Sequence, residues 1–255
     1  MKMKDNHYQL GVVSVSFRRH SPEQIVRAAV AAGLSSIEWG SDVHAPCRDT
    51  ERLSEIVRLQ EKYGIVCSSY GTYFRLGETP IDELKDYIHA AKRLGTRILR
   101  LWCGTRSGDE MTVQERDYLI EQCRLAATIA EENDVILCME CHRGTFTQRA
   151  EDSVALMEAV NSLHFRMYWQ PFQWLDETES MNVAKAVAPY VEHLHVFHWR
   201  EKQKLPLSLA VDTWRTYLSA FSAPRTLLLE FMPDDRLESL ATEAETLKRI
   251  VGEEL

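Results

Sequence analysis

The feature that most constrains the fold is a regular alternation of short apolar segments with amphipathic segments along the 255 residues. Eight segments have the length and apolar content of buried strands, and each is followed by a stretch with helical periodicity. The predicted strands are 11–17, 36–39, 65–70, 97–102, 135–144, 165–170, 191–197 and 226–231. Strict alternation requires a parallel sheet, and eight units favour its closure into a barrel. We therefore expect an α/β fold in which residues 1–255 form a single (β/α)₈ TIM-barrel domain.

Helix-start and helix-stop signals support this alternation. Ser21-Pro22 and the pair Thr112 and Glu115 are N-terminal capping patterns, and Gly64 follows the last periodic residue of another segment. The predicted helices are 22–33, 50–63, 79–95, 112–133, 150–161, 178–187, 212–221 and 234–251. An open doubly wound sheet is the alternative, but no glycine-rich nucleotide loop follows the first strand.

Composition narrows the classes of function. A net charge of −8 and a pI near 5.6 argue against a nucleic-acid surface, which would need a basic footprint. No apolar run approaches the length that spans a bilayer, and the N-terminal residues lack the apolar core of a signal peptide. We therefore expect a cytoplasmic protein that binds neither nucleic acid nor membrane. Its six scattered cysteines are expected to be reduced core thiols.

The segment 135–144, VILCMECHRG, indicates where the chemistry lies. Side chains of a strand alternate between two faces, and the odd positions from Val135 to Cys141 are all apolar. The other face ends in Glu140, with His142 two residues later. An acid–histidine tip on an apolar strand suits the C-terminal mouth of a barrel, where the active sites of this fold are built. Cys138 and Cys141 should point to opposite faces, which argues against a shared metal or disulfide.

The same alternation places polar groups at the ends of three further strands, because Gln170, His195 and Glu230 each end an inward-facing row. Each candidate also has an ordinary structural interpretation, such as a helix cap for Glu230, an ion pair with Arg100 for Glu140 or a hydrogen-bonded core position for His195. Two carboxylates buried in one mouth, however, cost several kcal/mol unless a cation or proton compensates them. The joint pattern therefore predicts a functional cluster. Further residues that the pattern places in or near the mouth are Glu38, His44, Arg100, Trp102 and His142.

The order of four short motifs resembles the xylose isomerase-like barrels identified as sugar phosphate isomerases and epimerases, which include tagatose-type ketose epimerases and inosose dehydratases. The motifs are GLSSIEWGSDVHAP, ECHRG, HLHVF and LLLEF, and they extend over essentially the whole chain. Members of that family hold one divalent cation with Glu, Asp, His and Glu at the ends of strands five to eight. By position, the resemblance implies that the metal ligands here are Glu140, Gln170, His195 and Glu230.

This chain departs from the family pattern at strand six. Gln170 stands where the family has an aspartate, and Gln173 stands where it has a substrate-contacting histidine. A glutamine carbonyl can ligate a hard cation but adds no charge, so we expect weaker metal affinity.

The resemblance implies an isomerase or epimerase of carbohydrate metabolism that acts on a small sugar or polyol-like substrate. Its catalytic residues would be Glu140 and Glu230, which would move a proton beside a carbonyl. Mn²⁺, Mg²⁺, Co²⁺ or Zn²⁺ would assist the reaction. The expected substrate-binding residues are His142, His44, Glu38, Arg100 and Trp102. Three alternatives stay open: an inosose-type dehydratase, a metal-free two-glutamate isomerase and a non-catalytic sugar-binding barrel. The sequence also leaves open which sugar is the substrate, whether it carries a phosphate, and whether the protein is a homo-oligomer.

Overall fold

A computed structural model describes residues 8–222 and 225–252. In chain order, its strands are β1 (Gln9–Val13), β2 (Ser36–Gly40), β3 (Val66–Leu76), β4 (Ile98–Cys103), β5 (Ile136–Glu140), β6 (Phe165–Trp169), β7 (Val191–Val196), β8 (His198–Arg200), β9 (Gln203–Leu205) and β10 (Thr226–Leu229). Eight of them close into a parallel barrel in the order β1-β10-β7-β6-β5-β4-β3-β2, and β8 and β9 form a separate antiparallel hairpin. The predicted (β/α)₈ TIM barrel is confirmed.

The helices surround the barrel. Most begin near their predicted starts, but α3 and α8 begin five and six residues later than predicted, each after a 3₁₀ turn. They are α1 (Pro22–Ala31), α2 (Thr50–Tyr63), α3 (Leu84–Leu94), α4 (Val113–Glu132), α5 (Ala150–Val160), α6 (Glu177–Val187), α7 (Val211–Leu218) and α8 (Leu240–Val251). Ser21 and Thr112 both form reciprocal capping boxes with the residue three positions on. Gly64 ends α2 at φ +67°, a left-handed conformation that favours glycine.

Several strands differ from the predicted boundaries. β5 ends at Glu140 rather than at 144, and β10 ends at Leu229 rather than at 231. The first strand ends at Val13, and residues 14–17 form a 3₁₀ turn in which Ser14 Oγ accepts the Gly40 N–H at 2.9 Å. β3 continues to Leu76 because its last residues pair with β4. The hairpin β8–β9 was not predicted, since each of its strands has only three residues.

Apolar side chains fill two separate regions of the molecule. The larger cluster lies between the barrel and the helices, whereas the smaller one is centred on Val13, Val15, Cys138, Tyr168 and Leu228. Cys138 belongs to this smaller cluster and Cys141 to the larger one, as expected for residues on opposite faces. All six cysteines are free. In the described ranges, no helix is both long and apolar enough to cross a membrane.

Candidate active site

The four residues expected at the strand ends lie at the C-terminal face of the barrel. Glu140 is the last residue of β5, Gln170 and Glu230 follow β6 and β10 directly, and His195 is the penultimate residue of β7. Parallel strands of a barrel end at one face, so their last side chains converge. His195 Nδ1 lies 3.5 Å from Glu140 Oε1 and 3.4 Å from Glu230 Oε2. Three of the predicted residues thus form one buried cluster.

A third carboxylate, Glu38 of β2, lies on the other side of the imidazole ring. Glu38 Oε2 lies 3.5 Å from His195 Nε2 and accepts a hydrogen bond of 2.8 Å from Ser69 Oγ. The Glu38 side chain has no solvent exposure. The ring therefore has Glu38 beside one nitrogen and Glu140 and Glu230 beside the other, which fixes the direction in which each nitrogen points.

The buried guanidinium of Arg100 joins two of these carboxylates. Its Nε donates to Glu38 Oε1 at 3.2 Å, and its Nη1 donates to Glu140 Oε2 at 2.8 Å. Trp102 Nε1 donates to the same Glu140 oxygen at 2.6 Å. Gly71 of β3 leaves room for this pair, because a Cβ there would approach Glu38 Oε1 to 2.6 Å. Arg100 and Glu38 are placed to hold other side chains, and direct contact with a substrate stays a prediction.

Burial and mutual charge shift the pKa values of the cluster in opposite directions. Burial raises the pKa of Glu230 to about 7. Burial also opposes ionisation of Glu38, but His195 and Arg100 outweigh it and lower the pKa to about 2. Glu140 has its pKa lowered for the same reason, chiefly by Arg100. Burial would lower the pKa of His195, but Glu230 and Glu38 raise it to about 10.

The donor set fits a divalent cation in two respects. Three buried carboxylates face one guanidinium, so a divalent ion that took the place of the His195 proton would neutralise the two remaining negative charges. Moreover, His195 Nδ1, Gln170 Oε1 and Glu230 Oε2 are buried and have no hydrogen-bond partner within the described residues. Gln170 Nε2 donates to Cys141 O at 3.1 Å, which leaves its Oε1 as the free donor atom.

The fit is not that of a preformed cage. Within residues 8–222 and 225–252, no group of three or more His, Cys, Asp and Glu side chains is already arranged to hold a metal. Glu140 and Glu230 both lie near His195 Nδ1, but these three residues are not arranged as such a group, and the fourth predicted ligand is a glutamine.

The two loop histidines lie in different surroundings. His142 is half-buried, its ring is 5.0 Å from that of Trp102, and its Nδ1 lies 2.7 Å from Arg143 O. Trp102 contacts Glu140 directly, so His142 borders the cluster. His44 is buried, and its Nε2 lies 3.1 Å from His20 O. Its ring also lies 6.2 Å from that of Trp39, and its role in substrate binding stays a prediction.

Sequence reasoning missed two polar groups of this site. Ser69, the partner of Glu38, could not be found by alternation alone because a register shift at Ile37 and Glu38 offsets β2 against β3. Tyr168 of β6 was not predicted as a site residue. Its ring lies 5.1 Å from that of His195, and its hydroxyl is buried without a hydrogen-bond partner in the part of the chain that the structure describes.

The profile of one family matches residues 26–250, which is most of the chain. The chain belongs to the family of xylose isomerase-like TIM barrels. The expected family membership is thereby confirmed. A search of curated proteins found no match.

Solved structures of similar fold include three with named activities or ligands. The probable 3-DHS dehydratase AsbF from Bacillus anthracis has a TM-score of 0.80 at 15% identity, covering 94% of this chain and 98% of its own. The IolI protein with a bound zinc atom has a TM-score of 0.76 at 13% identity, covering 97% and 99%. D-Psicose 3-epimerase from Clostridium cellulolyticum H10, solved with D-tagatose, has a TM-score of 0.70 at 14% identity, covering 96% and 98%. At these identities the similarity establishes the fold.

Proposed function

We propose that this protein is a sugar isomerase or epimerase that moves a proton next to a carbonyl, assisted by one divalent metal. The observation that carries the proposal is the placement of two buried carboxylates, Glu140 and Glu230, against the same nitrogen of His195 at the barrel mouth. An isomerase or epimerase needs one group to remove a proton from carbon and a group to return it. The two glutamates come from different strands and therefore approach the centre from different sides.

The metal would be held by Glu140, Gln170, His195 and Glu230, whose buried unpartnered atoms include three of the required donors. When bound, Mn²⁺, Mg²⁺, Co²⁺ or Zn²⁺ would supply Lewis-acid stabilisation of negative charge on the substrate oxygens. This proposal is supported by structural neighbours that include an epimerase, a zinc-bound protein and a magnesium complex from Mycobacterium smegmatis.

The surroundings of the two glutamates suggest a division of labour. Glu140 Oε2 accepts hydrogen bonds from both Arg100 and Trp102, so this carboxylate is fixed in orientation. Glu230 Oε2 has no hydrogen-bond partner within the described residues and is freer to reorient. We therefore assign the removal of the proton from carbon to Glu230, which in an isomerase then returns it to the neighbouring carbon. In an epimerase Glu140 would deliver a proton to the opposite face, after its carboxylate has taken one up from a substrate hydroxyl or from water. His142, beside Trp102, would donate to or accept from a substrate hydroxyl.

The test is deuterium exchange in D₂O, followed by NMR, with a panel of free ketoses and with metal-free and Mn²⁺-loaded protein. Metal-dependent exchange that is lost in Glu140→Gln and in Glu230→Gln is the expected result. Glu192→Gln is the matched control, because Glu192 lies on β7 near its other end, paired with Arg166. Retained exchange in either site variant would contradict the assignment.

The same experiment separates the alternatives. Exchange that persists without metal would favour the two-glutamate mechanism. Loss of a hydroxyl with appearance of a vinylic proton would identify a dehydratase instead. Binding of a sugar without exchange or turnover would favour a non-catalytic sugar-binding barrel. The position of the exchanging carbon distinguishes an isomerase from an epimerase.

A further inference from the structure

A second cavity adjoins the candidate active site at the barrel mouth. A small pocket of about 230 Å³ is lined by His142 and Gln170, and also by Arg143 and the loop that follows β6. The same arginine and loop line a cavity of about 830 Å³ that extends to the β8–β9 hairpin and to α7. This volume lies within the range of about 300–1,000 Å³ that is typical of ligand sites. A molecule with its reactive end at Gln170 therefore has space to extend past Arg143.

Arg143 is presented on an aromatic support. Phe172 is 5% exposed and stacks on Trp174 with ring centroids 4.6 Å apart and an interplanar angle of 28°. The Arg143 guanidinium lies 5.7 Å from the centroid of the Trp174 ring. Trp174 itself is 42% exposed, so its ring is accessible at the edge of the cavity. The stacked pair limits the conformations of the guanidinium and leaves its N–H groups available.

Three of the other charged side chains around the cavity have partners on the protein. Arg200 Nη2 lies 3.9 Å from Glu177 Oε1, and the Asp176 carboxylate caps α6 by accepting from Glu179 N at 2.8 Å. Glu201 and Lys202 are adjacent in sequence at the hairpin turn, and their opposite formal charges sum to zero there. Within the described residues, Arg143 has no carboxylate at ion-pair distance. A positive charge without an acidic partner at the edge of a cavity favours an anionic ligand.

Another arginine of the barrel-mouth loops is already paired. Arg106, in the loop after β4, donates to Glu115 Oε1 at 2.7 Å. It lines a different pocket, together with Gly77 and Tyr118. Arg106 thus serves as a matched control for Arg143, since it is also a mouth-loop arginine but has its charge compensated.

We propose that Arg143, supported by Trp174, binds an anionic group at the end of the substrate remote from the reacting carbons. This inference rests on the proposed function, which places the reacting carbons of the substrate at the buried glutamates. The substrate class is then a polyhydroxy carbonyl compound that carries a carboxylate or a phosphate, rather than a neutral sugar. The two anions share the chemistry that a guanidinium recognises, namely paired oxygen acceptors.

The test is isothermal titration calorimetry of the wild-type protein with matched probes. D-Fructose 6-phosphate is compared with D-fructose, D-glucuronate is compared with D-glucose, and inorganic phosphate is titrated alone. We expect an anionic probe to bind about tenfold more tightly than its neutral partner. Arg143→Gln should abolish this difference without weakening the neutral probes, whereas Arg106→Gln should preserve it. The preferred anion identifies carboxylate or phosphate as the natural group.

The Trp174 indole resonance locates the binding. Trp174→Phe assigns this N–H signal among those of the six tryptophans, and the anionic probes should shift it in the wild type but not in Arg143→Gln. Equal affinity for charged and neutral probes, or a preference that survives in Arg143→Gln, would overturn the proposal. So would the absence of binding by any probe at millimolar concentration. Arg143-dependent anion binding without any deuterium exchange would reject the proposed function while leaving the anion site intact.

Discussion

Arg100→Met should destabilise the metal-free protein strongly, because the guanidinium is the buried cation that serves two buried carboxylates. Arg100 is 3% exposed and holds Glu38 at 3.2 Å and Glu140 at 2.8 Å. Methionine keeps most of the side-chain volume, so the loss is mainly electrostatic. Removing one partner of a buried ion pair costs about 3–5 kcal/mol. For a chain of this size, that corresponds to a fall in Tm of about 6–20 °C.

The assay is thermal unfolding in EDTA, followed by circular dichroism. Arg166→Met is the control, because Arg166 pairs with Glu192 at 2.8 Å in a half-buried position. A more solvated pair contributes only about 0–1 kcal/mol. The double variant Arg100→Met/Glu38→Gln should be less destabilised than the two single changes together, by about 1–3 kcal/mol, because it removes both charges of one pair.

Two results would refute this reasoning. A fall in Tm for Arg100→Met no larger than that for Arg166→Met would mean that the buried carboxylates do not depend on the guanidinium. Strict additivity in the double variant would mean that Glu38 and Arg100 do not interact. Addition of Mn²⁺ should restore part of the lost stability if the divalent ion takes over the charge balance, since a ligand of the folded state raises its stability.

Three further predictions concern metal affinity and packing. Glu38→Gln should weaken Mn²⁺ binding about 10–100-fold, because Glu38 orients the His195 ring through Nε2. The Mn²⁺ affinity is measured by calorimetry, and an unchanged affinity would show that Glu38 does not orient His195 for metal binding. Gln170→Asp should strengthen Mn²⁺ binding about tenfold, because it adds a negative charge to the donor set. Weaker Mn²⁺ binding by this variant would show that residue 170 is not a metal ligand. Gly71→Ala should lower the free energy of unfolding by about 1–3 kcal/mol, since its Cβ would lie 2.6 Å from Glu38 Oε1 and 2.9 Å from Arg100 Nη2. The free energy is measured by urea unfolding, and an unchanged value would show that the Glu38 and Arg100 side chains can move to make room.

The sequence by itself determined the barrel and the strand ends that carry its polar groups. Strand alternation and helix caps are local properties, since each depends on residues only a few positions apart. For that reason the capping roles of Thr112, Ser21 and Gly64 follow from the residues around them. The inward direction of Glu140 and His195 followed from the same period-two rule, and the parallel topology then brought them to one face.

Only the tertiary structure decided how these groups contact one another. The Glu38–His195 and Arg100–Glu140 contacts join residues 157 and 40 positions apart, so no local pattern specifies them. The register shift that places Ser69 beside Glu38 depends on how β2 and β3 pack in the closed barrel. The cavity beside Arg143 likewise requires the β6 loop and the β8–β9 hairpin to meet. Long-range packing decides these features because it sets distances and burial, which alternation along a single strand does not encode.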